Sequence, residues 1–192
     1  IAQWNLARLA ETMLPLLDDE IEKAADTTEE AVNGFGTLYK DKWLSMMRAK
    51  LGLFDKREGD ESLIIDLLDW MQRAGADYTN TFLYLTEDNL PQGKPYNDSY
   101  FKEWYTRWQV QLAKNTKALK SSLTLMRANN PSVIPRNHKI EQVLEDATSG
   151  DLKPLNDFLT ALENPYKNRP DLKPYQSPPK QEERVYQTFC GT

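Results

Sequence analysis

The stretch Tyr100–Asn115, "YFKEWYTRWQVQLAKN", decides the fold class. Phe101, Trp104, Tyr105, Trp108 and Leu112 recur at intervals of three and four residues, and a helix of about 3.6 residues per turn gathers them on one side. Asp98 or Ser99 stands just ahead of the stripe and offers the side-chain oxygen that caps a helix start.

The same period continues in both directions. Upstream, a helix begins near Asp60 and buries Leu63, Ile64, Leu67, Leu68 and Met71, with Gly75 at its end. Thr79 caps a short helix carrying Phe82 and Leu85, and "TEDNLPQGKPYND" after it reads as a loop. Earlier still, Trp4, Leu6, Leu9, Met13, Leu16 and Leu17 form a first stripe, which Pro15 kinks or ends. Asp26 or Thr27 caps a long segment with Glu29 and Glu30 in its first turn. Its stripe runs through Val32, Phe35, Tyr39, Trp43, Met46, Met47 and Leu51 to a stop at Gly52. Downstream, Leu119, Leu123 and Met126 continue until Asn130-Pro131. Asn137 caps a segment with Ile140, Val143, Leu144 and Ala147, closed by Gly150, and Leu155, Phe158, Leu159 and Leu162 form the last stripe. From Asn164 onward, prolines at 165, 170, 174, 178 and 179 forbid regular structure and predict an extended tail. The fold class is all-α: an irregular helical array over 1–163 with a proline-rich tail over 164–192.

Composition sets bounds on function. The 192 residues include five Trp, nine Tyr and six Phe, and each buried aromatic removes roughly 150–250 Å² from water, enough for a sizeable core. Net charge is −5 and no basic block stands out, which argues against a nucleic-acid or anionic-membrane surface. No apolar run reaches the roughly 20 residues that cross a bilayer. Cys190 and His138 are the only residues of their kinds, so neither an internal disulfide nor a self-contained thiolate zinc site is expected. The chain opens on Ile1 and is amphipathic from its fourth residue, which points to the carboxy-terminal portion of a longer protein.

Several patterns look chemical and have plainer explanations. Gly34-Phe35-Gly36 followed by Lys40 resembles a phosphate loop, but the third glycine position holds Tyr39 and the setting is helical. Close helix packing or a local kink accounts for the glycines. Asp66 and Asp69 lie opposite Leu63, Leu67 and Met71, and Asp69 stands four before Arg73, the spacing of a surface ion pair. His138, at a helix start, offers an acid or base, or else capping and packing. Pro135 restricts the turn ahead of it, and Arg136 can grip a carboxylate with its forked guanidinium. Arg136, Asn137 and His138 are therefore expected to form a structural node. Cys190, third from the end, is either a spare thiol on a chain terminus or a redox group that a long strap carries to a partner.

Four stretches bear a more specific message: "WNLARLAETMLPLLD" from Trp4, "GADYTNTFLYL" from Gly75, "NNPSVIPRNHKIEQVLEDATSGD" from Asn129, and the ending with Cys190. Together they resemble the carboxy-terminal portion of the selenoprotein O family, protein adenylyltransferases with a protein-kinase-like (pseudokinase) fold. Animal members carry selenocysteine where Cys190 stands and many bacterial members carry cysteine. Gly191-Thr192 departs from the two serines that often close family members.

The resemblance implies a full-length enzyme that moves AMP from ATP onto Ser, Thr or Tyr hydroxyls of other proteins. In this family the nucleotide lies flipped relative to ordinary kinases, and Mg²⁺ neutralises phosphate charge. The glycine-rich loop, the phosphate-binding Lys and Arg, and the metal-binding Asn and Asp would all precede Ile1. This chain would then hold no catalytic, nucleotide-binding or metal-binding residue and would be inactive alone. Its partners would be the upstream kinase-like portion of the same chain and the protein substrates, in the cytoplasm of a bacterium. Cys190 would be a tethered redox switch pairing with a cysteine upstream. The readings that compete with this one are an autonomous helical interaction module and a thiol-dependent oxidoreductase resting on Cys190.

Overall fold

The computed structural model of the protein describes residues 1–87 and 90–183, so Cys190 lies outside the described residues. Among these, every regular element is helical. The chain divides into two compact units, Ile1–Met47 and a second starting at Arg48.

The first unit pairs α1 (Ala2–Leu17) with the greater part of α2 (Ile21–Lys50). Ala7, Ala10 and Leu14, one face of α1, are half-buried and line a shallow cleft with Ala25, Thr28 and Val32 of α2. Gln3 Nε2 donates to the Val32 carbonyl at 3.2 Å. The small alanines bring these helices together, and this leaves the larger stripe outside. No α1 residue is buried, and Trp4 and Leu16 are 64% and 83% exposed. Pro15 does not end α1, which runs to Leu17; so near the carboxy end its missing donor is tolerated.

The helix expected to start at Asp26 or Thr27 starts at Ile21 instead. Thr27 lies inside it, its hydroxyl donating to the Lys23 carbonyl at 3.0 Å, so it supports the preceding turn and caps nothing. The break between α1 and α2 is made by Asp18, which is extended and accepts from the Glu20 amide. Gly34 and Gly36 sit mid-helix, and a Cβ at either would meet no atom within 4 Å. Close packing is thus not what these glycines serve.

The second unit is built on α3 (Asp60–Ala74), α4 (Tyr78–Glu87), α5 (Ser99–Ala113) and α6 (Leu119–Asn129). Helix α3 packs on α5, and α4 on α6. The α5 stripe feeds an aromatic ladder: Trp70 to Phe101 (4.3 Å between centroids), Phe101 to Trp104 (5.7 Å), Trp104 to Trp108 (6.1 Å). A buried indole N–H needs an acceptor, and each of these has one. Trp104 donates to the Leu63 carbonyl, Trp108 to the Leu51 carbonyl, and Trp70 to Asp98. Asp98 also caps α5 through the Tyr100 amide. One carboxylate thus starts a helix and fixes a core ring.

Asp66 pairs with Arg107 of α5 at 2.8 Å, and Arg73 donates to the Asp69 backbone carbonyl and lies over the Tyr100 ring. The expected Asp69–Arg73 carboxylate pair is replaced by a contact between helices. Helices α7 (Asn137–Thr148) and α8 (Lys153–Leu162), joined by a short turn, pack on each other. After them the prolines do not leave a purely extended chain. Pro170–Leu172 is a 3₁₀ turn and Lys173–Gln176 a single helical turn, α9, with proline in the first positions of each, where its missing N–H costs nothing.

Candidate functional site

The segment 129–138 is the meeting point of the second unit. Asn130 Nδ2 donates to the Lys50 carbonyl (2.8 Å) and to Thr86 Oγ1 (3.1 Å), which ties the end of α2 to α4. Lys50 Nζ answers by donating to the Asn129 carbonyl and to Asn130 Oδ1, both at 3.1 Å, and it stands over the Phe82 ring at 4.9 Å. Burial holds the Lys50 ammonium below its ordinary pKa. Two residues on, Ser132 presents its amide and its hydroxyl to the Pro165 carbonyl, at 2.7 and 2.9 Å.

Arg136 is the anchor. Its Nη1 donates to Asp77 Oδ2 at 2.8 Å and its Nη2 to Asp77 Oδ1 at 2.9 Å, a planar fork of the kind guanidinium and carboxylate favour. Nη2 also donates to Asn80 Oδ1 at 3.2 Å. The Arg136 and Asp77 side chains are 7% and 22% exposed. Burial pushes the Asp77 carboxyl up, but the hydrogen bonds from Arg136 and from the Asn80 amide, with the guanidinium charge, outweigh it, and the group ends below its usual range. Through the Asn80 amide (2.8 Å) Asp77 also serves the start of α4. Thr79, the expected cap, is already inside that helix. Asn137 is likewise no cap: it is the first residue of α7, and Arg136 holds the flanking position by backbone conformation alone.

Arg136, Asn137 and His138 share a cavity of about 970 Å³ with Asp77, Tyr84, Lys94, Tyr96 and Glu183. His138 is half-buried. Burial and then the neighbouring Lys139 and Arg136 charges lower its imidazole, against an upward pull from Glu183. These residues do not fit a magnesium nucleotide. The guanidinium is committed to Asp77, and Glu183 accepts from the Lys180 amide at 2.9 Å. Among the described residues no group of three His, Cys, Asp or Glu side chains comes together as a metal site. No helix among them is long and apolar enough to cross a membrane.

The partners that sequence reading left unnamed are Asp77 and Asn80, Lys50 and Thr86, and the strap carbonyls. Asp77 and Asn80 lie in the motif "GADYTNTFLYL", and the need of a buried arginine for a carboxylate was the available signal.

In class, the second unit is a helical array tied by the buried ionic hub of Arg136, Asp77 and Asn80. A family model described as "Protein adenylyltransferase SelO" matches residues 1–163, and the chain belongs to that family. It is similar to the protein nucleotidyltransferase YdiU of Nitrosococcus oceani, 51% identical over 193 residues covering 100% of this chain and 39% of that protein. It is also similar to the proteins of that name from Alcanivorax borkumensis (47%, 100% and 40%) and Clostridium botulinum (47%, 100% and 39%). The chain thus spans about two fifths of the length of these curated relatives.

Proposed function

We propose that this chain is the carboxy-terminal helical region of a protein adenylyltransferase, which transfers AMP from ATP to Ser, Thr or Tyr of target proteins in the bacterial cytoplasm. The observation that carries this is the match of the whole chain, at 51% identity, to two fifths of a protein nucleotidyltransferase. In such a transfer the target hydroxyl oxygen bonds to the α-phosphorus, the bond to the β-phosphate oxygen breaks, and pyrophosphate leaves. Bound ATP and Mg²⁺ would supply the transferable group and neutralise its charge. The residues that hold them belong, in this reading, to a kinase-like portion outside residues 1–192.

The role left to these residues is support. The exposed stripe of α1 (Leu6, Leu9, Met13, Leu16, Leu17) is a continuous apolar surface suited to covering by that portion. Cys190 acts as a redox switch: its thiol and a cysteine thiol outside this chain form a disulfide, giving two electrons and two protons to a peroxide or to a small disulfide.

Calorimetry of the 192-residue chain with ATP and Mg²⁺ is expected to show no binding, whereas the longer protein carrying it labels target proteins from ATP with a tagged α-phosphate. Micromolar, Mg²⁺-dependent binding by the chain alone would place the nucleotide site within it and overturn the supporting role. Cys190→Ser in the longer protein should remove any response of labelling to dithiothreitol; an unchanged response rules out the switch. The exposed stripe also favours a second reading, a helical interaction module with no catalysis, which a failure of the longer protein to label any target would select.

A further inference from the structure

We propose that residues 164–183 are a latched strap, held on the second unit by the Arg136–Asp77–Asn80 hub, and that the latch limits how far Cys190 can travel. The strap is fastened at three points. Ser132 binds the Pro165 carbonyl through both amide and hydroxyl, and its hydroxyl also faces the Lys167 carbonyl at 3.2 Å. Leu172, with 0% exposure, plugs a small core made with Val133 and Ala161. Asn80 Nδ2 then donates to the Gln176 carbonyl at 3.0 Å.

The third point makes the hub a latch. A carboxamide has one accepting and one donating end. Arg136 Nη2 occupies the Asn80 oxygen, so the NH₂ group is left facing the strap. The forked bond to Asp77 holds the guanidinium in place, so the chain of contact runs Asp77 to Arg136 to Asn80 to Gln176. Beyond Gln176, prolines 178 and 179 stiffen the backbone along the cavity wall that His138 and Glu183 share.

Chain length gives the consequence, whatever the conformation of the end. Cys190 lies fourteen residues beyond Gln176, the last fastened residue, and at about 3.5 Å each these span at most ~50 Å. With the strap released back to Asn164, 26 residues are free, and the limit rises to about 90 Å. A latched strap therefore cuts the reach of the thiol by nearly half, and opening it widens the choice of partners. The latch rests on these contacts alone; its chemical meaning rests on the redox reading of Cys190.

Chymotrypsin digestion of the native protein tests it, because cutting after Tyr175, the neighbour of Gln176, requires the strap to open and its rate follows the open population. Asn80→Asp keeps an acceptor for Arg136 and sets an oxygen against the Gln176 carbonyl. Cleavage after Tyr175 should then rise about tenfold, while sites on α3 and α5 keep their rates. Ser132→Ala deletes one hydroxyl, leaves the hub intact, and should speed cutting after Tyr166, beside Pro165. If Asn80→Asp loosens every site at once, the rates in Ser132→Ala decide. Strap rates equal to wild type in Ser132→Ala and not selectively raised in Asn80→Asp overturn the latch. Cys190→Ser should leave every rate unchanged, so loss of the switch and loss of the latch are told apart.

Discussion

Arg136 and Asp77, 59 residues apart, meet in a two-bond fork at 2.8 and 2.9 Å. That fork joins two of the stretches by which the chain resembles its family, "GADYTNTFLYL" and "NNPSVIPRNHKIEQVLEDATSGD". Removing one partner leaves the other charge buried, which costs more than the pair contributes. Arg136→Met should lower stability by roughly 3 kcal/mol, read as a urea midpoint. The double variant with Asp77→Asn should recover part of this loss. Strict additivity of the two single changes would mean that they do not interact.

Acid should open the hub. The folded-state value of Asp77 lies below its ordinary one, so the folded protein binds fewer protons at this site than the unfolded chain. Its contribution is present above the unfolded value of about 3.9 and is lost as pH falls through the lower folded value. Urea midpoints taken between pH 6 and pH 2.5 should fall more steeply in wild type than in Asp77→Asn. Parallel curves would remove the carboxylate from the account.

His138 is the only histidine and so gives a single imidazole signal in a magnetic-resonance titration. It should titrate below about 6.5, because burial, Lys139 and Arg136 act against the charged form. Glu183→Gln should move it lower still, since that carboxylate pulls the other way. An unmoved titration would separate the end of the strap from α7.

Gly52 is needed on two grounds. Its φ is +73°, and a Cβ there would stand 3.0 Å from Met126 Sδ and 3.2 Å from Ser122 Cβ. Gly52→Ala should cost about 2 kcal/mol, seen as a lowered melting temperature. A change within error would show that α6 gives way freely.

The exposed side of α1 invites a direct check. Leu9→Asp with Leu16→Asp should leave the stability of the isolated chain within about 0.5 kcal/mol, as expected of surface changes. In the longer protein the same pair should be strongly destabilising, because the stripe is then covered. Equal effects in both would mean that nothing packs there.

Much of the helical pattern was legible in the residues. The α5 stripe, the cap at Asp98 and the stops at Gly52, Gly75 and Gly150 all act within a turn or two of the chain, so local spacing exposes them. Caps failed where a polar residue had a competing partner: Thr27 bonds back to Lys23, and Asp77 displaces Thr79. At the hub, the need of Arg136 for a carboxylate was readable. Which carboxylate it takes was not, because Asp55, Asp60, Asp66, Asp69 and Asp77 are all available along the chain.

The residues by themselves determined that the chain is helical, where most helices stop, and which family it resembles, because these follow from short-range spacing and short motifs. Only the tertiary structure decided that the large stripe of α1 faces outward, that Asp77 rather than another acid answers Arg136, and that a proline-rich segment is tied down through Asn80. The physical reason is that burial and pairing depend on which distant surfaces meet, and a buried charge selects its partner by geometry that no local pattern contains.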